Sequence, residues 1–190
     1  MKEKTVCFSG HRPEKLPDKG SLSSQPVKTL RSLLQSEIDS AVNDGYTEFI
    51  VGMARGIDLW AGEMVTDMIC RNNIYRLTAV FPYRGYEKCY KGYELWVSNR
   101  ILSHCSEIIY LNEQYYRGCM KERNEYMVDH SSRLIAVVDN MRSGTGQTIR
   151  YAKSQGLETH ILDIKKLFPQ TDPDQTDLFD TKWFSQDILY

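Results

Sequence analysis

An arginine and an asparagine stand side by side in a segment whose other residues would form a buried helix face. In Met120–Val128, positions 120, 123, 124, 127 and 128 share one face, and this face is apolar except for Arg123 and Asn124. A buried guanidinium without a partner costs several kcal/mol, so Arg123 needs an anion. The anion is either a carboxylate of this protein or a phosphate or carboxylate of a ligand, in which case Asn124 binds a hydroxyl or a base edge.

Three loops combine glycine with hydrogen-bond donors: Ser9–Pro13, Gly52–Asp58 and Arg142–Thr148. Glycine lets a backbone approach a ligand closely, and a helix N-terminus offers free N–H groups to phosphate. One such loop is equally consistent with a tight turn, but three at one edge of a sheet predict an anionic ligand. The predicted binding residues are Gly10, His11, Arg12, Gly52, Arg55, Gly56, Asp58, Arg123, Asn124, Ser143, Gly144, Thr145, Gly146 and Thr148.

Several of these candidates have two interpretations. Asp58 is a helix cap or a ribose ligand, and His11 is a donor to phosphate, with Arg55 expected to close over the ligand. The tyrosine-rich segment covers a base by stacking, packs as a surface loop, or forms a dimer contact. Its tyrosines are Tyr83, Tyr86, Tyr90 and Tyr93. Cys7 is interpreted as a small core residue, and no role is assigned to the other histidines.

Apolar runs and helical periodicity alternate along the chain and define the elements that would carry these residues. Strands are predicted at 5–10, 49–52, 77–81, 107–111, 134–138 and 159–162. Helices are predicted from Pro26 to Asn43, then at 57–69, 95–104, 119–130 and 144–155, with a loop and one helical turn at 84–94. This order predicts an α/β fold, a three-layer sandwich with a mainly parallel sheet over residues 1–168.

The composition excludes several classes of protein. The formal charge is −1, from 24 basic and 25 acidic residues, which argues against a duplex nucleic-acid binder. No run of about 18 apolar residues exists to span a membrane. Five widely spaced cysteines indicate neither a disulfide scaffold nor a zinc site. We therefore expect a cytoplasmic protein without a bound metal.

The motifs together resemble the SLOG superfamily, whose members include the LOG phosphoribohydrolases and the DprA proteins. The resemblance comes from Met120, Arg123 and Asn124, followed by Ser143–Thr148. The Gly52–Asp58 loop is similar to a glycine-arginine-glycine loop of DprA. Ser9–Pro13, together with Asp58–Glu63, most resembles the YpsA-like branch, which is bacterial. The resemblance spans residues 5–164 and implies a Rossmann-like sheet that binds a nucleotide or a nucleotide-derived ligand.

LOG enzymes use an arginine and a glutamate to cleave the N-glycosidic bond of a nucleoside monophosphate. Arg123 matches the arginine, but Asn124 replaces a lysine and Arg150 stands where the glutamate is expected. A guanidinium neither stabilises an oxocarbenium ion nor activates water. The catalytic residues are therefore unknown, with Arg123 and Glu63 as the candidates if the protein is an enzyme. Otherwise Glu63 is an exposed helix carboxylate.

Three functions remain open. The leading one is a sensor or regulator that binds a nucleotide-like ligand, with its phosphate between Gly10–Arg12 and Gly144–Gly146. The second is a phosphoribohydrolase-like N-glycosidase. The third is a protein-interaction module that acts through the acidic tail at 169–190, in which Gln175–Phe179 is similar to peptides that dock on the bacterial sliding clamp. Relatives in the superfamily often dimerise, so the resemblance also implies a homodimer.

Overall fold

A computed structural model describes residues 2–169, and within this range six strands form one sheet. The strands are Thr5–Gly10 (β1), Glu48–Val51 (β2), Arg76–Phe81 (β3), Glu107–Tyr110 (β4), Arg133–Val138 (β5) and Glu158–Asp163 (β6). Their order is β4-β3-β2-β1-β5-β6, and all five neighbouring pairs are parallel. The predicted single-sheet α/β Rossmann-like fold is confirmed.

The first five helices connect successive strands, and the sixth follows β6. They are Gln25–Asn43 (α1), Ile57–Arg71 (α2), Gly92–His104 (α3), Cys119–Asp129 (α4), Gly144–Ser154 (α5) and the single turn Ile164–Leu167 (α6). The Ser24 hydroxyl accepts the N–H of Val27 where α1 begins, and the Ser143 hydroxyl accepts the N–H of Gly146 where α5 begins. The tail predicted at 169–190 lies outside the described residues except for Pro169, and so does the Gln175–Phe179 segment.

Successive side chains of the central strand β1 point to opposite faces of the sheet, so they pack in two different hydrophobic clusters. Val6 and Phe8 pack with α1, α2 and α3, whereas Cys7 packs with α4 and α5. Burial raises the pKa of the Cys7 thiol to about 12, so this cysteine stays protonated. The interpretation of Cys7 as a core residue is therefore confirmed.

One helix is longer than the sequence predicts. α3 begins at Gly92 rather than at residue 95, and the predicted single turn before it is the 3-10 turn Tyr86–Cys89. The first residues of α3 bind other elements: Tyr93 binds Glu63 of α2, and Glu94 binds Arg55. Their partners are about 30 to 40 residues away in the sequence, so the local apolar periodicity does not reveal them.

The winding of the chain reverses at β1, which lies between β2 and β5. In an open parallel sheet, ligands bind in the crevice beyond the carboxyl ends of the strands at such a reversal. Gly10 ends β1 opposite Val137 of β5. The loops that follow these two strands, Ser9–Pro13 and Arg142–Thr148, are two of the three glycine loops.

The opposite, amino-terminal edge of the sheet holds a network of charged residues. The Arg133 guanidinium lies 2.7 Å from carboxylate oxygens of Asp44 and Glu158, and 4.3 Å from the ring centroid of Tyr46. The imidazole of His160 bridges Glu158 to Glu37 of α1, at 2.9 and 2.7 Å. This network ties α1 and the loop before β2 to β5 and β6.

The bridge at His160 makes stability depend on pH. Burial alone would lower the pKa of His160, but its bonds to Glu158 and Glu37 outweigh this and raise the pKa above 6.5. The protonated ring therefore contributes stability below that value, and the contribution is lost as the pH rises through the folded-state pKa. We expect His160→Gln to reduce the free energy of unfolding more at about pH 5.5 than at about pH 8.5. Urea denaturation at both pH values tests this, and an equal loss would contradict it.

Candidate functional site

A cleft of about 420 Å³ opens at the carboxyl ends of the strands, between the loops after β1 and β5. It is lined by Ser9, Gly10, His11, Arg12, Glu14, Lys15, Ala54, Asp58, Met120, Arg123, Asn124, Ser143, Gly144 and Thr145. Nine of the fourteen predicted binding residues are in this set. The sequence analysis did not include Lys15 and Met120 among the binding residues, although both lie within or beside the motifs that it used.

Arg123 is 6% exposed and lies at the base of the cleft. Its Nη1 donates to the carbonyl oxygen of Gly52, while Nε and Nη2 donate to Asn124 Oδ1 at 3.1 and 2.9 Å. Within residues 2–169, no carboxylate oxygen lies within 4.0 Å of this guanidinium. Two of its five N–H groups have no acceptor among these described residues. A buried positive charge therefore lines the cleft without a direct ionic partner.

Asp58 lies on the other side of Gly52 from Arg123. A Cβ on Gly52 would lie 2.7 Å from Asp58 Oδ1 and 2.9 Å from Arg123 Cζ, so only glycine fits between them. Asp58 Oδ1 accepts the N–H of Gly52 at 3.0 Å. Burial raises the pKa of Asp58, and the opposing influence of Arg123 and of backbone N–H groups does not cancel this. Asp58 is not the helix cap, since Gly56 occupies the N-cap position of α2.

Asn124 connects Arg123 to the start of α5. Its Oδ1 accepts from Arg123, and its Nδ2 donates to Thr148 Oγ1 at 2.9 Å. The Thr148 hydroxyl in turn donates to the carbonyl oxygen of Gly144 at 3.1 Å. The amide oxygen of Asn124 is therefore engaged within the protein, and the side chain orients Arg123 instead of standing free to bind a hydroxyl or a base edge.

His11 joins the two loops that face each other across the cleft. Its Nε2 accepts the backbone N–H of Asp139 at 2.9 Å, so the ring proton is on Nδ1. Burial lowers the pKa of His11 and keeps the ring neutral. Any hydrogen bond from His11 to an anion would therefore be donated by Nδ1–H of a neutral ring, without an ionic contribution.

Two charged side chains lie elsewhere than expected. Arg55 does not line the cleft: its Nε lies 2.7 Å from Glu94 and its Nη1 2.7 Å from Glu14. Glu63 is 9% exposed and lies between Arg31 at 2.9 Å and the Tyr93 hydroxyl at 2.7 Å. The expectation that Glu63 is exposed is wrong, and Glu63 is also absent from the cleft.

Three further residues named in the sequence analysis contact other parts of the protein. Gly56 has φ 86°, and a Cβ there would lie 2.5 Å from the carbonyl oxygen of His11. Gly146 lies against the backbone of Met141. Arg150, which stands at the position of the LOG glutamate, donates to the carbonyl oxygen of Met141 at 2.6 Å. These contacts hold the backbone of the Gly52–Asp58 and Arg142–Thr148 loops in place.

Tyr86 and Tyr90 of the tyrosine-rich segment are packed and Tyr93 is 42% exposed, and none of its four tyrosines lines the cleft. Tyr86 and Tyr90 are each 4% exposed, and Tyr83 lies edge-on to Tyr86 with ring centroids 5.6 Å apart. The Tyr90 hydroxyl donates to the carbonyl oxygen of Met53, whose φ is 55°. The segment therefore supports the Gly52–Asp58 loop.

A second cavity, of about 290 Å³, adjoins the cleft between α4 and α5. It is lined by Gly118, Met120, Lys121, Asn124, Glu125, Gly144, Gln147, Thr148 and Tyr151. Met120, Asn124 and Gly144 also line the first cleft. The sequence analysis missed this cavity, although Gly144, Gln147, Thr148 and Tyr151 have the spacing of one helix face.

No group of three or more histidine, cysteine, aspartate or glutamate side chains in residues 2–169 could hold a metal ion. None of the helices in that part of the chain has the length and apolar character needed to cross a bilayer.

Comparisons with known proteins show which family and which fold the chain resembles. A model of the YpsA SLOG family matches residues 6–170. The uncharacterized SPbeta prophage-derived protein YoqJ of Bacillus subtilis (strain 168) is 29% identical over 117 residues, 55% of this chain and 68% of YoqJ. A UPF0398 protein of Bacillus cereus is 24% identical over 158 residues, 80% of this chain and 84% of that protein.

A solved structure is similar to most of this chain. DNA processing protein A (DprA) from Streptococcus pneumoniae matches 84% of this chain with a TM-score of 0.55 and 17% sequence identity. This chain covers 50% of the DprA chain. At this level of identity the likeness shows the fold alone.

Proposed function

The chain belongs to the YpsA SLOG family, and we propose that it binds a nucleotide or a nucleotide-derived phosphorylated ligand in the cleft, as a sensor or regulator. Membership of this family indicates a nucleotide-related function. The observation that carries the proposal is Arg123, a buried guanidinium that faces the cleft and whose hydrogen bonds to the described residues all end on neutral acceptors. A phosphate would supply the direct anionic contact that Asp58, on the other side of Gly52, does not make.

The start of α5 supports a phosphate at the same place. Gly144 and Thr145 line the cleft, and the first N–H groups of a helix have no intrahelical acceptor. The adjoining Ser143 hydroxyl satisfies only the N–H of Gly146. The partial positive charge of this helix end adds to that of Arg123. Arg12 and Lys15 lie at the exposed rim, where they would attract an anion from solution.

A nucleotide panel tests the proposal directly. Nucleoside monophosphates should raise the melting temperature of the full chain, because a ligand at 100 times its Kd stabilises by about 2.7 kcal/mol. For a chain of this size the rise is about 5–10 °C. The matching nucleosides, which lack the phosphate, should give a much smaller rise. If no phosphorylated ligand shifts a cooperative transition, the proposal is wrong.

Hydrolysis of an N-glycosidic bond is a second candidate function, and the position of Asp58 favours it. The loop glutamate of LOG enzymes is absent, but Asp58 brings a carboxyl group to the cleft beside Arg123. Burial raises the pKa of Asp58, and a carboxyl group with a raised pKa is suited to donate a proton to a departing base. Water would then form the new bond to the sugar carbon, giving a free base and a sugar phosphate.

Chromatography of the products distinguishes hydrolysis from binding alone. If the protein is a glycosidase, it releases free base from a nucleoside monophosphate, and Asp58→Asn slows release at least about a hundredfold. Glu63→Gln provides the control, since this buried carboxylate lies outside the cleft. Absence of base release from nucleotides that bind would reject this candidate and leave the binding function intact.

A further inference from the structure

We infer that the cavity between α4 and α5 holds the base of the nucleotide, and that Glu125 and Gln147 bind the polar edge of this base. This inference rests on the proposed function, since it places the rest of a ligand whose phosphate lies in the first cleft. It assigns recognition of the base to two residues that are not among the binding residues predicted from the sequence.

The two cavities adjoin closely enough for one ligand to occupy both. They share Met120, Asn124 and Gly144 as lining residues. At Gly144 the boundary is bare backbone, and a Cβ added there would meet no atom within 4 Å. A ligand whose phosphate lies at the start of α5 can therefore extend past Gly144 into the second cavity.

The walls of the second cavity suit a flat aromatic ring. Met120 and Tyr151 supply polarizable apolar surface, and the lining is mostly apolar. The Tyr151 hydroxyl donates to Asp129 Oδ1 at 2.9 Å, which fixes the orientation of its ring. Asn124 and Thr148 are bonded to each other, so their polar groups add little to the recognition of a base edge. These features favour a nucleobase over a second phosphate or a free sugar.

Glu125 and Gln147 supply the polar contacts that remain. The Gln147 side chain is exposed and has no hydrogen bond to any other described residue. Glu125 is half-buried, with one oxygen 3.4 Å from Lys121. A carboxylate only accepts hydrogen bonds, so it pairs with the N–H groups of a base, such as the amino group of adenine or the ring N–H and amino group of guanine. A glutamine amide can pair with both a donor and an acceptor on an adenine edge.

Calorimetric titration of the full chain with AMP, GMP and ribose 5-phosphate tests the inference. AMP and GMP should each bind at least about tenfold more tightly than ribose 5-phosphate, in line with the contribution of base stacking and edge contacts. Gln147→Ala should weaken AMP about tenfold and leave ribose 5-phosphate unchanged. Glu125→Gln should weaken GMP more than AMP, because only a carboxylate accepts from both the ring N–H and the amino group of guanine.

Tyr115→Ala is the matched control, because this tyrosine is 65% exposed and packs on Tyr83 in the tyrosine-rich region instead. It should leave all three affinities unchanged. Equal binding of AMP and ribose 5-phosphate would overturn the inference and leave the proposed function standing. Loss of AMP affinity in Tyr115→Ala but not in Gln147→Ala would also overturn it. Failure of every ligand to bind would instead overturn the proposed function, and the inference with it.

Discussion

Replacing Arg123 with methionine should weaken nucleotide binding more than a hundredfold. Methionine preserves much of the apolar contact of the long side chain but removes the charge that faces the cleft. Truncating one partner of a buried, hydrogen-bonded charge pair removes about 3 kcal/mol of binding free energy, which is more than a hundredfold in Kd. The direct measurement is a calorimetric Kd, since Gly52 and Asn124 also lose hydrogen bonds and the variant melts at a lower temperature.

Arg12→Met tests whether a positive charge at the rim of the cleft contributes as much to binding as the charge of Arg123 at its base. Arg12 is exposed and lines the same cleft, so its removal should slow association and weaken binding by less than about tenfold. Comparable losses of affinity in Arg12→Met and Arg123→Met would indicate general electrostatic attraction and not a phosphate-binding site at Arg123. An unchanged Kd in Arg123→Met would place the ligand elsewhere.

Replacing Arg133 with methionine should lower the free energy of unfolding by about 3 kcal/mol. The Arg133 side chain is 4% exposed and binds Asp44 and Glu158, each at 2.7 Å. Hydrogen bonds to charged groups contribute about 1.5–3 kcal/mol, and the contact of the guanidinium with Tyr46 adds to this. The two carboxylates are about half exposed and regain water, which limits the loss. Urea denaturation followed by circular dichroism measures it.

Arg76→Met is the control for charge removal at the same edge of the sheet. Arg76 begins β3, is 66% exposed, and lies 3.8 Å from Glu48. Exposed pairs of this kind contribute little, so its replacement should change stability by less than about 1 kcal/mol. If the two variants lose similar amounts, the amino-terminal network does not stabilise the fold in the way described.

The sequence predicts elements well where the deciding information is local. Met64, Val65 and the other apolar residues of α2 repeat at helical spacing, and the run in β5 is apolar on both faces because helices cover both sides. The start of α3 is harder to predict, because Tyr93 and Glu94 bind residues of other elements. Periodicity carries no information about such distant partners.

In the candidate site too, the sequence predicts local features but not the partners of side chains. Glycine loops and helix starts are local patterns, and the structure brings Gly10, Arg123 and Gly144 together around one cleft. Side-chain partners are not local. The sequence alone is compatible with Arg55 binding either a ligand or a carboxylate. In the structure, two glutamates from different elements bind it. Whether these residues bind a ligand stays a prediction that the experiments above address.

The hydrogen-bond chain from Arg123 through Asn124 to Thr148 and Gly144 has a consequence for affinity. A free arginine side chain has about 2 kcal/mol of rotamer entropy, which a ligand must ordinarily overcome when it orders the group. Here bonds to Gly52 and Asn124 have already fixed the guanidinium in the unliganded protein. The cleft is thus preorganised, so more of the attraction between phosphate and arginine appears as binding free energy.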